Sequence, residues 1–210
     1  MIYELFRGSL EDFLPVRRHP KHYMRREVIY EPAPWALCYV HTGIVRTFHH
    51  AGGRVIHHDL FPKGECFGEA CLFPPPHPET AVAQTPATVS FWTRDEFLEL
   101  AWQRHLIDAL LQHQAARQRR MIERLERDET LKVEDRLFAA LVDTAQRIGH
   151  FDGTSATMPW IAHDVLASMI GSSRELVSHN LNHFRRQGFL KYSRREIVLC
   201  STTRHHDVAA

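Results

Sequence analysis

Apolar and polar positions change rhythm along the 210 residues of the chain. From about Val16 to Trp92 they come in short alternating runs rich in β-branched and aromatic residues, the period of half-buried strands. CYVHTGIVRTFHH (38–50) and RVIHHDLF (54–61) are two such runs, and Ala51-Gly52-Gly53 supplies a hairpin turn between them. Pro62-Lys63-Gly64 and the run Pro74-Pro75-Pro76 mark loops, and TAVAQTPATVSFWT reads as a strand pair split near Pro86. Strands at this spacing predict a small antiparallel barrel or roll.

After Trp92 the rhythm becomes helical. A short helix begins near Arg94 with Thr93 or Asp95 as its cap, and a long one runs from about His105 to Glu129. In the long one Ile107, Leu111, Gln114, Gln118, Met121 and Leu125 recur at alternating spacings of four and three, the seam of a two-helix coiled coil. The opposite side carries Arg117, Arg119, Arg120, Glu123, Arg124, Glu126 and Arg127, a face expected to stay in solvent. The seam therefore predicts a homodimer rather than a helix docked on its own domain. A further helix, Val133 to Ile148, turns Leu137, Phe138, Leu141, Val142 and Ala145 inward and stops at Gly149; HFDGTSATMPW follows as turn or short strand.

Next come two helices joined by a glycine. The first, about Ala162 to Ile170, offers Val165, Leu166, Met169 and Ile170 inward, with Ala167 small where helices would cross and Gly171 suited to a left-handed turn. The second opens on Ser172-Ser173-Arg174-Glu175, read as a capping box with Ser172 as the cap, and closes at Gly188. Val177, Leu181 and Phe184 form its inner stripe. Arg174, Glu175, Ser178, Asn182 and Arg185 form the outer one, all able to bond to base edges or phosphates. FLKYSRREIVLC then has hairpin alternation with a tight turn near Ser193-Arg194-Arg195. The whole is a winged helix-turn-helix.

The fold class is α+β: residues 1–100 an N-terminal antiparallel β-roll, 101–130 a long dimerisation helix, 131–210 a C-terminal winged helix-turn-helix. Charge refines this. The net value is only +1, but between Arg174 and Arg195 six cations face Glu175 alone, the local surplus a phosphate backbone attracts. A hydrophobic content of 44% with 24% charged residues suits a soluble domain pair. No apolar run has the length of a membrane span, so the expected compartment is the cytoplasm, with no membrane partner. Cys38, Cys66, Cys71 and Cys200 are scattered without a CxxC pair, which excludes a disulfide framework or a zinc ribbon.

A roll, a long dimer helix and a winged helix-turn-helix in this order resemble the cyclic-AMP receptor/FNR superfamily of bacterial transcription regulators. The resemblance rests on GECFGEACLF (64–73), LKVEDRLFAALVDTA (131–145) and IGSSRELVSHNL (170–181), the last close to the family's G-x-S-R-E-x-V-S pattern. It implies double-stranded DNA, a second copy of the chain and RNA polymerase as partners, no enzymatic activity and no cofactor. It implies a DNA-contacting set of Ser173, Arg174, Glu175, Ser178, His179, Asn182 and Arg185, and a palindromic operator with half-sites one DNA turn apart. His179 stands where the family often has arginine, and Ala162 where it commonly has a capping threonine; Asp164 compensates in part by its charge.

In the roll the departure is sharper. Phe67-Gly68-Glu69 matches the loop whose glutamate holds the ribose hydroxyl in cyclic-nucleotide binders. Ten residues on, those binders place arginine and then serine or threonine on the cyclic phosphate; here the pair is Glu79-Thr80. Carboxylate against phosphate is repulsive, and Met121 and Ile122, where adenine contacts would arise, offer no hydrogen bond. Gly68, Glu69, Glu79, Thr80, Met121 and Ile122 thus form a degenerate effector pocket that implies control without cyclic nucleotide, and no metal is assigned to the chain. Its histidines (His41, His49, His50, His57, His58, His77) keep a metal-responsive alternative open, since one member of each adjacent pair can meet across the hairpin. Cys66 and Cys71 keep a redox alternative, and a cupin-like metalloenzyme fused to a DNA-binding domain is the distant one. Gly68 and Ala70 stand where the haem-binding carbon-monoxide sensor carries its ligands.

Overall fold

The structure, a computed structural model, describes residues 20–31, 37–69, 78–104 and 106–200. Cys71, the proline run 74–76 and His77, together with Ala70 and His105, lie outside the described residues. Contacts divide the chain into two units, Met1–Arg124 and Leu125–Ala210, a division that falls inside the long helix.

The first unit is built from two four-stranded antiparallel sheets. One has the order β1 (Lys21–Tyr23), β8 (Ala87–Trp92), β3 (Leu37–Thr42), β6 (Cys66–Phe67); the other β2 (Val28–Tyr30), β7 (Thr80–Ala83), β4 (Ile44–Ala51), β5 (Arg54–Pro62). The segment around Pro86, expected to join a strand pair, instead carries the chain from one sheet to the other, because β7 and β8 belong to different sheets. The reason is a double corner. Gly43, between β3 and β4, has φ +79°, and a Cβ there would meet the Pro86 carbonyl oxygen at 2.1 Å. The Gln84 amide donates to the Ile44 carbonyl at 2.9 Å, and the Ile44 amide to Thr85 Oγ1 at 2.9 Å, so both crossovers are pinned together. The β4–β5 hairpin turns through Gly52-Gly53 as expected, with Ala51 opposite Arg54.

Cys38 and Val40 point between the sheets with Val45, Phe61, Phe67, Ala81, Val89 and Phe91. The alternate residues Leu37 and Tyr39 point the other way and are covered by Trp92, Phe97 and Leu106. Both faces of β3 are therefore buried. Phe97 belongs to α1 (Arg94–Arg104), capped reciprocally: Thr93 Oγ1 accepts from the Glu96 amide at 3.3 Å, and Glu96 Oε2 from the Thr93 amide at 3.0 Å. Leu106 opens α2 (Leu106–Thr130).

α2 carries two stripes at coiled-coil spacing. Ile107, Leu111, Met121 and Leu125 are between 46% and 60% exposed on the protomer. The second stripe, Leu106, Leu110, His113, Arg117 and Arg120, docks on the roll, which corrects the expectation of a uniformly solvated charged face. His113 Nε2 donates to the Cys66 carbonyl at 3.2 Å. Arg117 pairs with Glu69 and lies 5.0 Å over the Phe61 ring, and Arg120 stands 3.6 Å from Asp59. Long guanidinium stems pack on apolar surface while their heads find carboxylates, so arginine serves on a docking face where a shorter charge would not.

In the second unit α3 (Val133–Ile148) buries Leu137, Leu141, Thr144 and Ala145, and its Phe138 meets Phe184 and Phe189 edge-on. Strands β9 (His150–Phe151), β10 (Ser155–Pro159), β11 (Leu190–Tyr192) and β12 (Glu196–Cys200) form a sheet of order β11-β12-β10-β9. Between β10 and β11 lie α4 (His163–Met169) and α5 (Arg174–Arg186).

Candidate nucleic-acid interface and effector pocket

α5 is held from behind by Val177, Leu181 and Phe184, all buried, against α4, whose Val165, Leu166, Ala167 and Ile170 are buried in turn. Gly171 makes the turn between them at φ +59°, a left-handed conformation that a side chain would strain. That turn moves the helix start by one residue from the expected position. The cap is Ser173, whose Oγ accepts from the Leu176 amide at 3.3 Å; the Ser172 hydroxyl is buried with no hydrogen-bond partner among the described residues. Glu175 then falls at the second helical position rather than the third. It accepts from its own amide and from the Ser173 hydroxyl, which holds its carboxyl below the usual range. Ala162 caps α4 with no side-chain bond, and Asp164 lies in the first turn, as expected.

On the outer face Arg174, His179 and Arg185 are exposed and Ser178 is half-buried. Asn182, expected among the outward-reading groups, is half-buried and turned inward. Its Nδ2 donates to the Ser178 carbonyl at 2.9 Å and its Oδ1 accepts from Tyr192 at 3.0 Å. The wing, β11 and β12, turns at Ser193, whose Oγ accepts from the Arg195 amide at 3.1 Å; Lys191, Arg194 and Arg195 are exposed on it. His163 opens α4 beside this surface, its pKa lowered by burial and then by the Arg174 charge, against Asp164.

In the roll the two carboxylates singled out in the sequence are both engaged. Glu69 is held by Arg117. Glu79, 4% exposed, accepts from the Tyr30 hydroxyl at 2.6 Å and from His58 Nδ1 at 2.9 Å. Burial raises its pKa, but the bonds from His58 and Tyr30 outweigh this and hold the carboxyl below its usual range. An ionised carboxylate only accepts, so His58 Nδ1 is the donor in that bond, and His58 Nε2 lies 2.5 Å from His49 Nδ1. His49 and His58 thus meet across the hairpin, while His57 turns to Arg46, 3.3 Å from its Nδ1. Among the described residues no set of three or more His, Cys, Asp or Glu side chains converges on a metal position. Gly68 is buried with φ +85°, Thr80 begins β7 half-buried, and Met121 and Ile122 are exposed on α2. The seam glutamines differ from each other: Gln118 is exposed, Gln114 half-buried. Cys66 is buried, and burial followed by the Glu65 charge pushes its thiol pKa up.

Family models agree with this division. Residues 20–104 match the cyclic nucleotide-binding domain and residues 135–204 the Crp-like helix-turn-helix domain. The chain belongs to the cyclic-AMP receptor/FNR superfamily. Solved members are similar over most of their length. A CRP-family transcriptional regulator of Thermus thermophilus is 25% identical, covering 86% of this chain and 92% of its own, with a TM-score of 0.72. A CRP/FNR-family regulator of the same organism is 24% identical (87% and 93% covered, TM-score 0.71), and FixK2 of Bradyrhizobium japonicum 23% identical (86% and 91%, TM-score 0.72). No curated protein matches the chain in sequence.

Within this superfamily member, the residues that sequence reasoning missed are partners rather than readers: Tyr192 behind Asn182, Arg117 behind Glu69, and Tyr30 with His58 around Glu79. The 3.5-residue spacing of Leu106, Leu110, His113 and Arg117 was a signal for the docking stripe. Tyr30 and Tyr192 carried none, because their partners are 49 and 10 residues away. Among the described residues no helix is long and apolar enough to cross a membrane.

Proposed function

We propose that the protein is a homodimeric transcription regulator that reads palindromic promoter DNA through α5 and is not controlled by cyclic nucleotide. The observation that carries the DNA-reading half is the exposed polar face of α5, with Arg174, Ser178, His179 and Arg185 beside a wing bearing Lys191, Arg194 and Arg195. Arginine matches the two acceptors of guanine and the wing cations match phosphates. Ser173 and Glu175 stand at the helix start, where Glu175 is able to accept from a cytosine amino group on leaving its own amide. The dimer reading is supported by the exposed seam of α2; two-fold symmetry then sets two half-sites about 34 Å apart. RNA polymerase is the further partner that this reading implies, in the cytoplasm.

Effector independence is supported by Glu79. Where a cyclic phosphate would need a cation, this carboxylate is buried, ionised and satisfied by Tyr30 and His58. Moving it aside would orphan both donors. Glu69, the would-be ribose ligand, is committed to Arg117. The metal-responsive alternative rests on the His49–His58 contact, two nitrogens where a transition-metal site takes three or more protein ligands. Operator selection with the purified protein, run with and without cyclic AMP, tests the whole reading. The expected result is one palindromic motif, recovered with the same affinity in both arms. Failure to enrich any motif overturns the DNA assignment, and enrichment only with cyclic AMP overturns the reading of the pocket.

A further inference from the structure

Tyr192, the last residue of β11, sits where the wing meets α5. Its hydroxyl donates to Asn182 Oδ1 at 3.0 Å, and the Asn182 amide donates in turn to the Ser178 carbonyl at 2.9 Å. The Arg185 guanidinium lies 5.3 Å over the same ring. Trp160 stacks 5.6 Å away at a tilt of 32°, and His163 stands edge-on at 6.3 Å. The Trp160 amide donates to the Arg195 carbonyl in the wing turn at 2.9 Å, which closes the loop back to the wing.

We propose that Tyr192 is a positioning residue for DNA reading: it couples the wing to the recognition helix so that both meet a half-site as one rigid surface. This inference rests on α5 being the recognition helix. Phosphate contacts set the register of a protein on the duplex, and base contacts read within that register. The wing cations Lys191, Arg194 and Arg195 belong to the first class, Arg174 and Ser178 to the second. A latch between them transmits register from the wing to the base-reading face. Asn182 is the strut of this latch, since aiming its amide at a base would break its bonds to Tyr192 and Ser178. Arg185 is aimed by the same ring, through a contact that fixes a guanidinium without neutralising it.

Tyr192→Phe keeps the ring, with its Arg185 and Trp160 contacts, and deletes only the donor. The test measures binding of the full-length protein to its selected operator and to a scrambled duplex by fluorescence anisotropy across a salt series. The expected result is a fall of about three- to tenfold in operator affinity, the size of one hydrogen bond, with scrambled-duplex affinity and salt slope unchanged. Asn182→Ala gives the same fall, and Tyr192→Phe combined with Asn182→Ala falls no further than either alone. Equal losses on both duplexes, additive losses, or an unchanged operator affinity each overturn the proposal. So does an Asn182→Ala protein that relaxes one operator base, because Asn182 then reads rather than braces. A wild-type protein that selects no operator is a separate outcome, which removes the recognition-helix reading and the latch with it.

Discussion

In the winged helix-turn-helix Arg174, His179, Lys191, Arg194 and Arg195 stand exposed, whereas in the roll several charged groups are engaged with one another. Glu69 takes Arg117, Glu79 takes Tyr30 and His58, and Arg120 faces Asp59. An exposed cation keeps its interaction energy for a partner. A charge already paired within the protein has used part of it, and a ligand must first replace what it displaces. On the proposed reading, the winged helix-turn-helix is open to a polyanion and the roll is closed to a cyclic phosphate. The apolar seam residues Ile107, Leu111, Met121 and Leu125 of α2 likewise remain exposed on the protomer.

The largest effect expected from breaking this contrast is at the seam. Met121→Glu with Leu125→Glu places four carboxylates in the proposed two-fold interface, each costing several kcal/mol unless solvated. Sedimentation at micromolar concentration should then show monomers, with the roll still folded because both side chains are exposed on the protomer. Dimers that persist remove the seam assignment. Next is the base-reading face. Arg174→Ala should cost about 1–3 kcal/mol of specific binding, roughly 5- to 150-fold, and relax one operator position. Arg194→Ala in the wing should instead weaken all sequences alike and reduce the salt slope by about 1. Equal behaviour of the two variants in a competition assay would erase the distinction between reader and anchor.

A comparable substitution at the closed end acts on stability, not on reading. Glu79→Gln leaves a neutral amide facing Tyr30 and His58, and should cost about 1.5–3 kcal/mol in urea denaturation, the range for a hydrogen bond to a charged group. It should confer no cyclic-AMP binding, since no cation is added. The pH dependence follows from the same carboxylate. Its folded pKa lies below the unfolded value of about 4.3, so the folded state binds fewer protons than the unfolded one. The Glu79 contribution is fully present above that value and is lost as pH falls through the folded pKa. Wild-type stability should therefore drop more steeply below about pH 4.3 than that of Glu79→Gln. Parallel acid-unfolding curves for the two proteins would show that Glu79 is not ionised in the folded roll.

How much of this was legible depended on how local each interaction is. The roll, the long helix and the winged helix-turn-helix follow from periodicity and turn chemistry, as does the Gly52-Gly53 hairpin, while the sequence leaves Thr93 and Asp95 as alternative caps of α1. The inner stripe of α5 was equally plain. The start of α5 was misplaced by one residue because two serines are adjacent, and only the Gly171 turn decides between them. The Pro86 crossover was read as a simple strand break, since Gly43 lies 43 positions earlier and the clash that couples them is a property of the folded corner. Composition alone assigns the charge-rich side of α2 to solvent. Arginine at a docking face looks the same in sequence as arginine in water until its carboxylate partner arrives from another strand. The Asn182 bond to Tyr192 is hidden in sequence for a similar reason: the type of Asn182 suits bases, and its partner on the wing is set by tertiary packing.

The smallest expected effect concerns the cysteines, and it tests whether the roll is closed to redox signals. Cys66 and Cys38 are both fully buried, and the Cys66 thiol is held neutral by burial and by Glu65. The thiolate is the reactive form, so a buried neutral thiol should be inert. The Cys66 carbonyl also carries the His113 bond to α2, so exposing the thiol would mean lifting the helix from the roll. Iodoacetamide at pH 8 should therefore label Cys66 only at the rate of global unfolding, as read by mass spectrometry with and without urea. Operator affinity should be the same for reduced and mildly oxidised protein. Rapid labelling of Cys66 in the native protein, with a matching change in operator affinity, would make the roll a redox sensor and place its open surface on the opposite side of the comparison.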